Sequence, residues 1–150
     1  MRFSINFQVL SGGTIVPPVA KIREWFRAGF DGRCTSAEIT LRIVDEPESR
    51  ALNRDYRGVD RPTNILSFSY DPPPGSDALV GDLVICAPVM AREAAEQGKP
   101  LEAHWAHLVV HGTLHLLGYD HQNDDEAREM ESLEVQILAE LGFPDPYALA

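Results

Sequence analysis

Cysteine is nearly absent from this chain, with only Cys34 and Cys86 in 150 residues. Far apart and without an export signal, they read as reduced thiols. Cys86 lies in the apolar run 83–87, where a buried small hydrophobe is expected. No apolar run approaches the ~20 residues needed to span a bilayer, so no membrane partner is expected. Residues 1–10 alternate polar and apolar side chains and lack the basic stretch and apolar core of an export signal. The cytoplasm follows as the expected location. Basic residues are scarce beyond position 70. Residues 71–150 hold three Lys/Arg against fifteen Asp/Glu, residues 1–70 hold ten against eight, and the net charge is −10. A negative protein can still bind a polyanion where its few cations gather in one groove, so charge neither supports nor excludes a nucleic-acid partner.

With 44% hydrophobic and 24% charged residues, the composition is that of an ordinary globular protein. The length suits one domain over 1–150, burying roughly two-thirds of the surface that the unfolded chain exposes. Period-2 alternation predicts strands over 4–9 and 38–44. Pro17 and Pro18 open a helix that runs through Phe30, since proline is tolerated in a first turn. A short polar helix is expected over 46–57, ending near Gly58, followed by strands over 64–70 and 79–87. The segment 71–77 between those last two strands has no room for a helix, so they should pair antiparallel. The earlier strands are joined through helices, which favours parallel pairing. Helices over 88–97, 101–117 and about 124–141 end at Gly98, Gly118 and Gly142, and Asn123 with Glu126 suggests a capping box. The predicted class is α+β: a mixed sheet of about four strands with one antiparallel strand, helices packed against it, and a metal-binding helix in the C-terminal half.

All five histidines lie between positions 104 and 121. On a helix over 101–117, His107, His111 and His115 share a face. His107 and His115 are about 12 Å apart along the axis at 1.5 Å per residue. Ligands ~2.0–2.1 Å from one zinc ion must lie within about 4 Å of each other, so one ion takes an adjacent pair and needs a third ligand from off the helix. His111 and His115 have such a partner. Gly118 stops the helix in a conformation glycine adopts without a side-chain penalty, and the chain can turn back to deliver His121. Three nitrogens leave one coordination position for water, and no cysteine is near to close it, which is the layout of a catalytic zinc site. One Zn2+ per chain is the expected cofactor. For the i, i+4 pair alone, surface or core histidines that happen to cluster would be an equal reading; the glycine and the third histidine favour metal. His104 and His107 are expected to pack or cap.

The spacing matches the zinc motif of metzincin proteases, H-E-x-x-H-x-x-G-x-x-H, but the general-base glutamate is replaced by Gly112. The carboxylate activates the water in such enzymes, so its absence argues against proteolysis. The whole string His-Gly-Thr-Leu-His-Leu-Leu-Gly-Tyr-Asp-His resembles instead the signature of the YbeY family of bacterial endoribonucleases. So do Tyr56-Arg57-Gly58-Val59-Asp60-Arg61-Pro62-Thr63-Asn64-Ile65-Leu66-Ser67-Phe68, then Gly81-Asp82-Leu83-Val84-Ile85, and Glu102-Ala103-His104-Trp105-Ala106-His107. The resemblance implies zinc on His111, His115 and His121, a functional arginine at Arg57, and single-strand-specific cleavage of RNA. It further implies a role in 16S ribosomal RNA 3′-end maturation and ribosome quality control, with the ribosome or small-subunit proteins as partners. Many family members carry Asp where this chain has Asn64, and Pro where it has Ser69, so no acidic role is assigned to position 64.

Arg50, Arg54 and Arg57 are spaced i, i+4, i+7 on the short polar helix, and Arg61 follows Gly58. Arginine forks suit phosphate and stay charged, which makes Arg50, Arg54 and Arg61 candidate substrate-binding residues. For Arg50 and Arg54 the competing reading is a solvated face paired with Glu46, Glu48 and Asp55. Arg57 precedes a glycine and a strand, where it can lean into a cleft and stabilise a transition-state phosphate. Asp120 either orients His121 as an adjacent carboxylate or caps the next turn. Phe68 either stacks on a base or belongs to the core. Two further function classes stay open: a zinc peptidase-like hydrolase, and a non-catalytic ribosome-associated zinc module.

Overall fold

The computed structural model describes residues 2–120 and 122–148. The chain forms β1 (Arg2–Val9), α1 (Val19–Phe30), β2 (Ser36–Val44), α2 (Glu46–Arg57), β3 (Ile65–Tyr70), β4 (Leu79–Cys86), α3 (Ala87–Gln97), α4 (Leu101–Leu116) and α5 (Asp124–Glu140). The strands make one sheet in the order β1-β2-β4-β3. β2 pairs parallel with β1 and β4, and β3 pairs antiparallel with β4. This is the mixed α+β sheet that the sequence predicts, with one difference in connection. The α2 crossover does not place β3 beside β2; β4 takes that position and β3 lies outside it. The burial pattern explains the order. Leu83, Val84, Ile85 and Cys86 of β4 are all buried, as an interior strand covered on both faces requires. β3 exposes Ser67, Ser69 and Tyr70 and tolerates an edge.

Alternation along the strands divides the interior in two. Ile39, Leu41 and Ile43 of β2 and Leu83 and Ile85 of β4 join Phe26 and Phe30 of α1, Trp105 and Leu114 of α4 and Ile137 of α5 in the main core. Val44, Val84, Cys86 and Leu66 form a smaller cluster on the other face, with Leu52 of α2 and Phe68 packed against it. The buried Cys86 thiol fits the reading of its apolar run. Among the described residues, no helix is long and apolar enough to cross a membrane.

Helix α4 runs through the middle of the main core. From residue 104 to 116 every side chain is buried except His107, His111 and His115. An α-helix brings residues four apart onto one face, so the three imidazoles are the stripe the core leaves uncovered. Two glycines set how close α4 lies to its neighbours. A Cβ on Gly112 would come within 2.8 Å of Ile65 Cδ1 and 2.9 Å of Leu83 Cδ2, and one on Gly29 of α1 within 2.6 Å of Thr113 Cγ2. Position 112 therefore faces the sheet, and the ends of the Ile65 and Leu83 side chains would have to shift to admit a larger residue there. The helix stops as predicted. Gly118 has φ 102°, its N–H donates to the His115 carbonyl at 3.0 Å and the Tyr119 N–H donates to Leu114 at 3.0 Å. These are the two bonds of a Schellman cap.

The start of α5 carries the predicted cap in altered form. Asn123 Oδ1 accepts the Glu126 N–H at 2.9 Å, while Glu126 reaches back to the N–H of Gln122, not of Asn123. Asp124, Asp125 and Glu126 occupy the first turn, where negative charge suits the positive end of the helix dipole.

Candidate functional site

Helix α2 ends at Arg57 because Gly58, with φ 72°, turns the chain left-handed and donates to the Arg54 carbonyl at 3.0 Å. The face that α2 buries is polar: Ser49 and Asn53 are each 1% exposed. Their partners lie in the segment that follows. Ser49 Oγ donates to the Thr63 carbonyl and accepts its N–H, both at 3.0 Å, and the Asn53 amide donates to the Arg61 carbonyl at 2.9 Å. These bonds fold residues 58–64 back onto α2 and fix where Arg57 stands relative to β3. Arg57 itself is exposed, and among the described residues it has no ion-pair partner.

Across the free edge of β3, α4 presents His111 and His115 with ring centroids 4.7 Å apart and planes at 79°. One cavity of about 630 Å³ is lined by Tyr56 and Arg57, by residues 63–68, and by His111 and His115. The arginine and the histidine pair, 54 and more residues apart in sequence, thus share one cleft.

Behind His111 lies a carboxylate. Glu134 of α5 is 0% exposed and contacts His111 Nδ1, the Tyr147 hydroxyl, and His107 Nε2 at 3.5 Å. Burial alone would raise its pKa, but hydrogen bonds from His107 and His111, the charge on His111 and the Tyr147 hydroxyl outweigh it and hold the carboxyl at about 2. An ionised carboxylate only accepts, so His111 Nδ1 carries a proton in either charge state, and in the neutral ring it is Nε2 that holds the lone pair a metal would use. The same contact pushes the Tyr147 phenol upward, after the larger contribution of its own burial. Replacing Glu134 by alanine leaves the half-buried His107 and His111 without this acceptor, while water can reach the exposed Tyr147. The expected loss of unfolding free energy is roughly 1–3 kcal/mol in all, read as a lowered urea midpoint.

A second buried pair adjoins the first. His104, 3% exposed, meets Glu93 at 2.9 Å, and the Asn64 amide donates to the same carboxylate at 3.1 Å. The His104 hydrogen bond, set against burial and aided by Asn64, lowers the Glu93 pKa. Asn64 is a donor here, consistent with the sequence giving it no acidic role.

The donor set suits a metal ion. Two neighbouring imidazoles face the cleft, and for His111 a carboxylate on the far nitrogen fixes the tautomer that ligates, as is usual for histidine ligands. His121, the third predicted ligand, lies outside the described residues. Among the described residues no group of three or more His, Cys, Asp or Glu side chains is placed to hold an ion.

Residues 19–142 match the family model described as Endoribonuclease YbeY. The chain belongs to the YbeY family. A protein named Endoribonuclease YbeY from Halorhodospira halophila is 56% identical over 150 residues, covering 97% of each chain. Another of that name, from Aromatoleum aromaticum, is 61% identical over 132 residues, covering 88% of this chain and 82% of the relative. The solution structure of TM1509 from Thermotoga maritima shares the fold, with a TM-score of 0.59 and 23% identity over 95% of this chain and 99% of that one.

Within this YbeY fold the other predicted site residues stand as follows. Arg50 forks onto Asp60 at 2.8 and 3.1 Å, and Arg54 meets Asp55 at 3.3 Å. Both line a separate cavity with Glu46, Pro47, Ala51 and Pro62. Glu46 and Glu48, weighed as their partners, pair instead with Arg92 and Arg42. Arg61 is exposed, and its backbone carbonyl is tied to Asn53. Asp120 is half-buried just past the Gly118 stop. His107 is 3.1 Å from the Tyr147 hydroxyl and joins His111 through Glu134. Sequence reasoning missed Glu134 and Tyr147. One signal was present: Met130, Glu134, Ile137 and Leu138 share the buried face of α5, so the glutamate interrupts an apolar stripe.

Proposed function

We propose that this protein is a zinc-dependent endoribonuclease that cleaves single-stranded RNA, with His111, His115 and His121 holding one Zn2+ and Arg57 acting on the scissile phosphate. The observation that carries the reading is the single cleft lined by Arg57, His111 and His115. The family match and the names of the relatives support RNA as the substrate. When bound, the ion supplies Lewis acidity to a phosphoryl oxygen. Glu134 orients His111 by accepting its Nδ1 proton, and Glu134→Gln is expected to weaken zinc binding about 10–100-fold, measured by chelator competition. The Arg57 guanidinium binds the phosphate through its fork and stabilises the charge that grows in the transition state.

Among the described residues, no Asp or Glu lines the cleft, so no carboxylate base is assigned. Two nucleophiles fit such a site: water, and the RNA's own 2′-OH. A 2′,3′-cyclic phosphate on the fragments marks the second route, and a 5′-phosphate arises only from the first. We place the activity in the cytoplasm, in 16S ribosomal RNA 3′-end maturation and ribosome quality control, with the ribosome or small-subunit proteins as partners; this placement rests on the family alone.

The free edge of β3 beside the histidines is the feature a peptidase would use to hold an extended chain. Position 112 opposes that reading, because glycine stands where such an enzyme needs its carboxylate base. The test is zinc-loaded protein incubated with the same RNA as a single strand and as a duplex, with casein in parallel. The expected result is cleavage of the single strand alone, abolished by a chelator. Chelator-sensitive cleavage of casein with RNA intact would overturn the proposal in favour of a peptidase. Full complementation by His115→Ala would favour a non-catalytic zinc module.

A further inference from the structure

The cleft carries aromatic surface as well as charge. Tyr56, in the last turn of α2, is 68% exposed. Its ring meets Phe68 of β3 edge to face, with centroids 5.0 Å apart and planes at 65°. Phe68 is half-buried against the smaller core cluster, and the β3–β4 ladder holds it opposite Asp82. Tyr56 is therefore steadied by a fixed neighbour while most of its own surface stays in water. Among the described residues its hydroxyl has no hydrogen-bond partner. Tyr70, two residues beyond Phe68 and on the same face of β3, is 51% exposed and donates to Asp82 at 2.9 Å. Tyr56 and Phe68 line the cavity that also holds Arg57, His111 and His115.

We propose that Tyr56, backed by Phe68, is the stacking platform for one unpaired nucleobase next to the phosphate held by Arg57. Every base presents a flat π-face, so aromatic stacking binds single strands with little sequence preference. In a duplex both faces of a base are already stacked, and a base reaches Tyr56 only by leaving the helix. Selectivity for single strands then arises at this ring, while Arg57 and the histidine pair act on a backbone common to both forms. The proposal rests on reading the cleft as the site of RNA cleavage.

The test uses zinc-loaded wild type and Tyr56→Ala on a single-stranded oligoribonucleotide, intact or with one abasic residue at each position in turn. Tyr56→Ala is expected to raise KM about tenfold, within the range for loss of one base–aromatic stack, with a much smaller change in kcat. Tyr56→Phe keeps the ring and should recover most of the loss. One abasic position beside the cleaved bond should raise the wild-type KM by a similar factor and add little to Tyr56→Ala. A folded Tyr56→Ala protein with wild-type KM, or an abasic effect undiminished in that variant, overturns the platform. Quenching of a 2-aminopurine strand on binding separates the two levels of inference. If the wild type cleaves no RNA, the nuclease reading fails; quenching by wild type and not by Tyr56→Ala then still supports the platform, and its absence in both overturns it.

Discussion

His111→Ala is expected to remove tight zinc binding and to slow RNA cleavage by roughly 10³-fold or more, the scale of losing a Lewis acid worth several kcal/mol. The side chain is only 24% exposed and Glu134 contacts its Nδ1, so the variant also disturbs a buried carboxylate. His115→Ala supplies the cleaner comparison. Glu134 is held by His107, His111 and Tyr147, and that network stays whole when His115 is removed. Both variants should lose metal, measured by elemental analysis of the purified protein, and both should lose cleavage together. A metal-free variant that cleaves at the wild-type rate would end the hydrolase reading.

Arg57→Ala is expected to keep zinc and lose about 10²–10³ in kcat, the usual effect of deleting one preorganised transition-state donor. The guanidinium stands exposed beside the cleft with no carboxylate paired to it among the described residues. Its charge is thus available to a phosphate without first breaking an ion pair. Arg57→Lys should recover part of the rate, because an ammonium supplies charge but not the planar fork. Arg50→Ala makes the contrast: its fork is already engaged by Asp60, and its removal should change cleavage far less. Single-turnover rates on one RNA, with the metal content of each variant measured alongside, check these expectations. Unchanged turnover in Arg57→Ala would take this residue out of the site.

Much of the architecture was legible because it depends on local signals. Alternation marked the strands, and the glycines at 58, 98, 118 and 142 marked where four helices stop. Helix α2 keeps the expected bounds of 46–57. The order of the strands was not legible, since alternation tells which face of a strand is buried and not which strand lies beside it. The His111–His115 pair was readable from helical spacing, but its support was not. The contact from His111 to Glu134 spans 23 residues, and in α5 Glu134 lies among several other acids. Its place on the apolar stripe was the one available clue. Gly112 shows the same limit from another side. The sequence marks it as a missing base, and only the packing shows that a side chain there would point at Ile65 and Leu83. Arg50 found Asp60 in place of nearer acids because Ser49 and Asn53 fold the intervening loop back, and neither residue announces that role in a helix pattern.

The most direct check is zinc K-edge X-ray absorption on the zinc-loaded wild type and on His121→Ala. In the wild type, three imidazole nitrogens at about 2.0–2.1 Å and one further light atom are expected. In the variant, whose weakened site is filled only by excess zinc, no more than two imidazoles should remain. A sulfur neighbour at about 2.3 Å, or three imidazoles persisting in His121→Ala, would contradict the ligand set from which the cleft takes its chemistry.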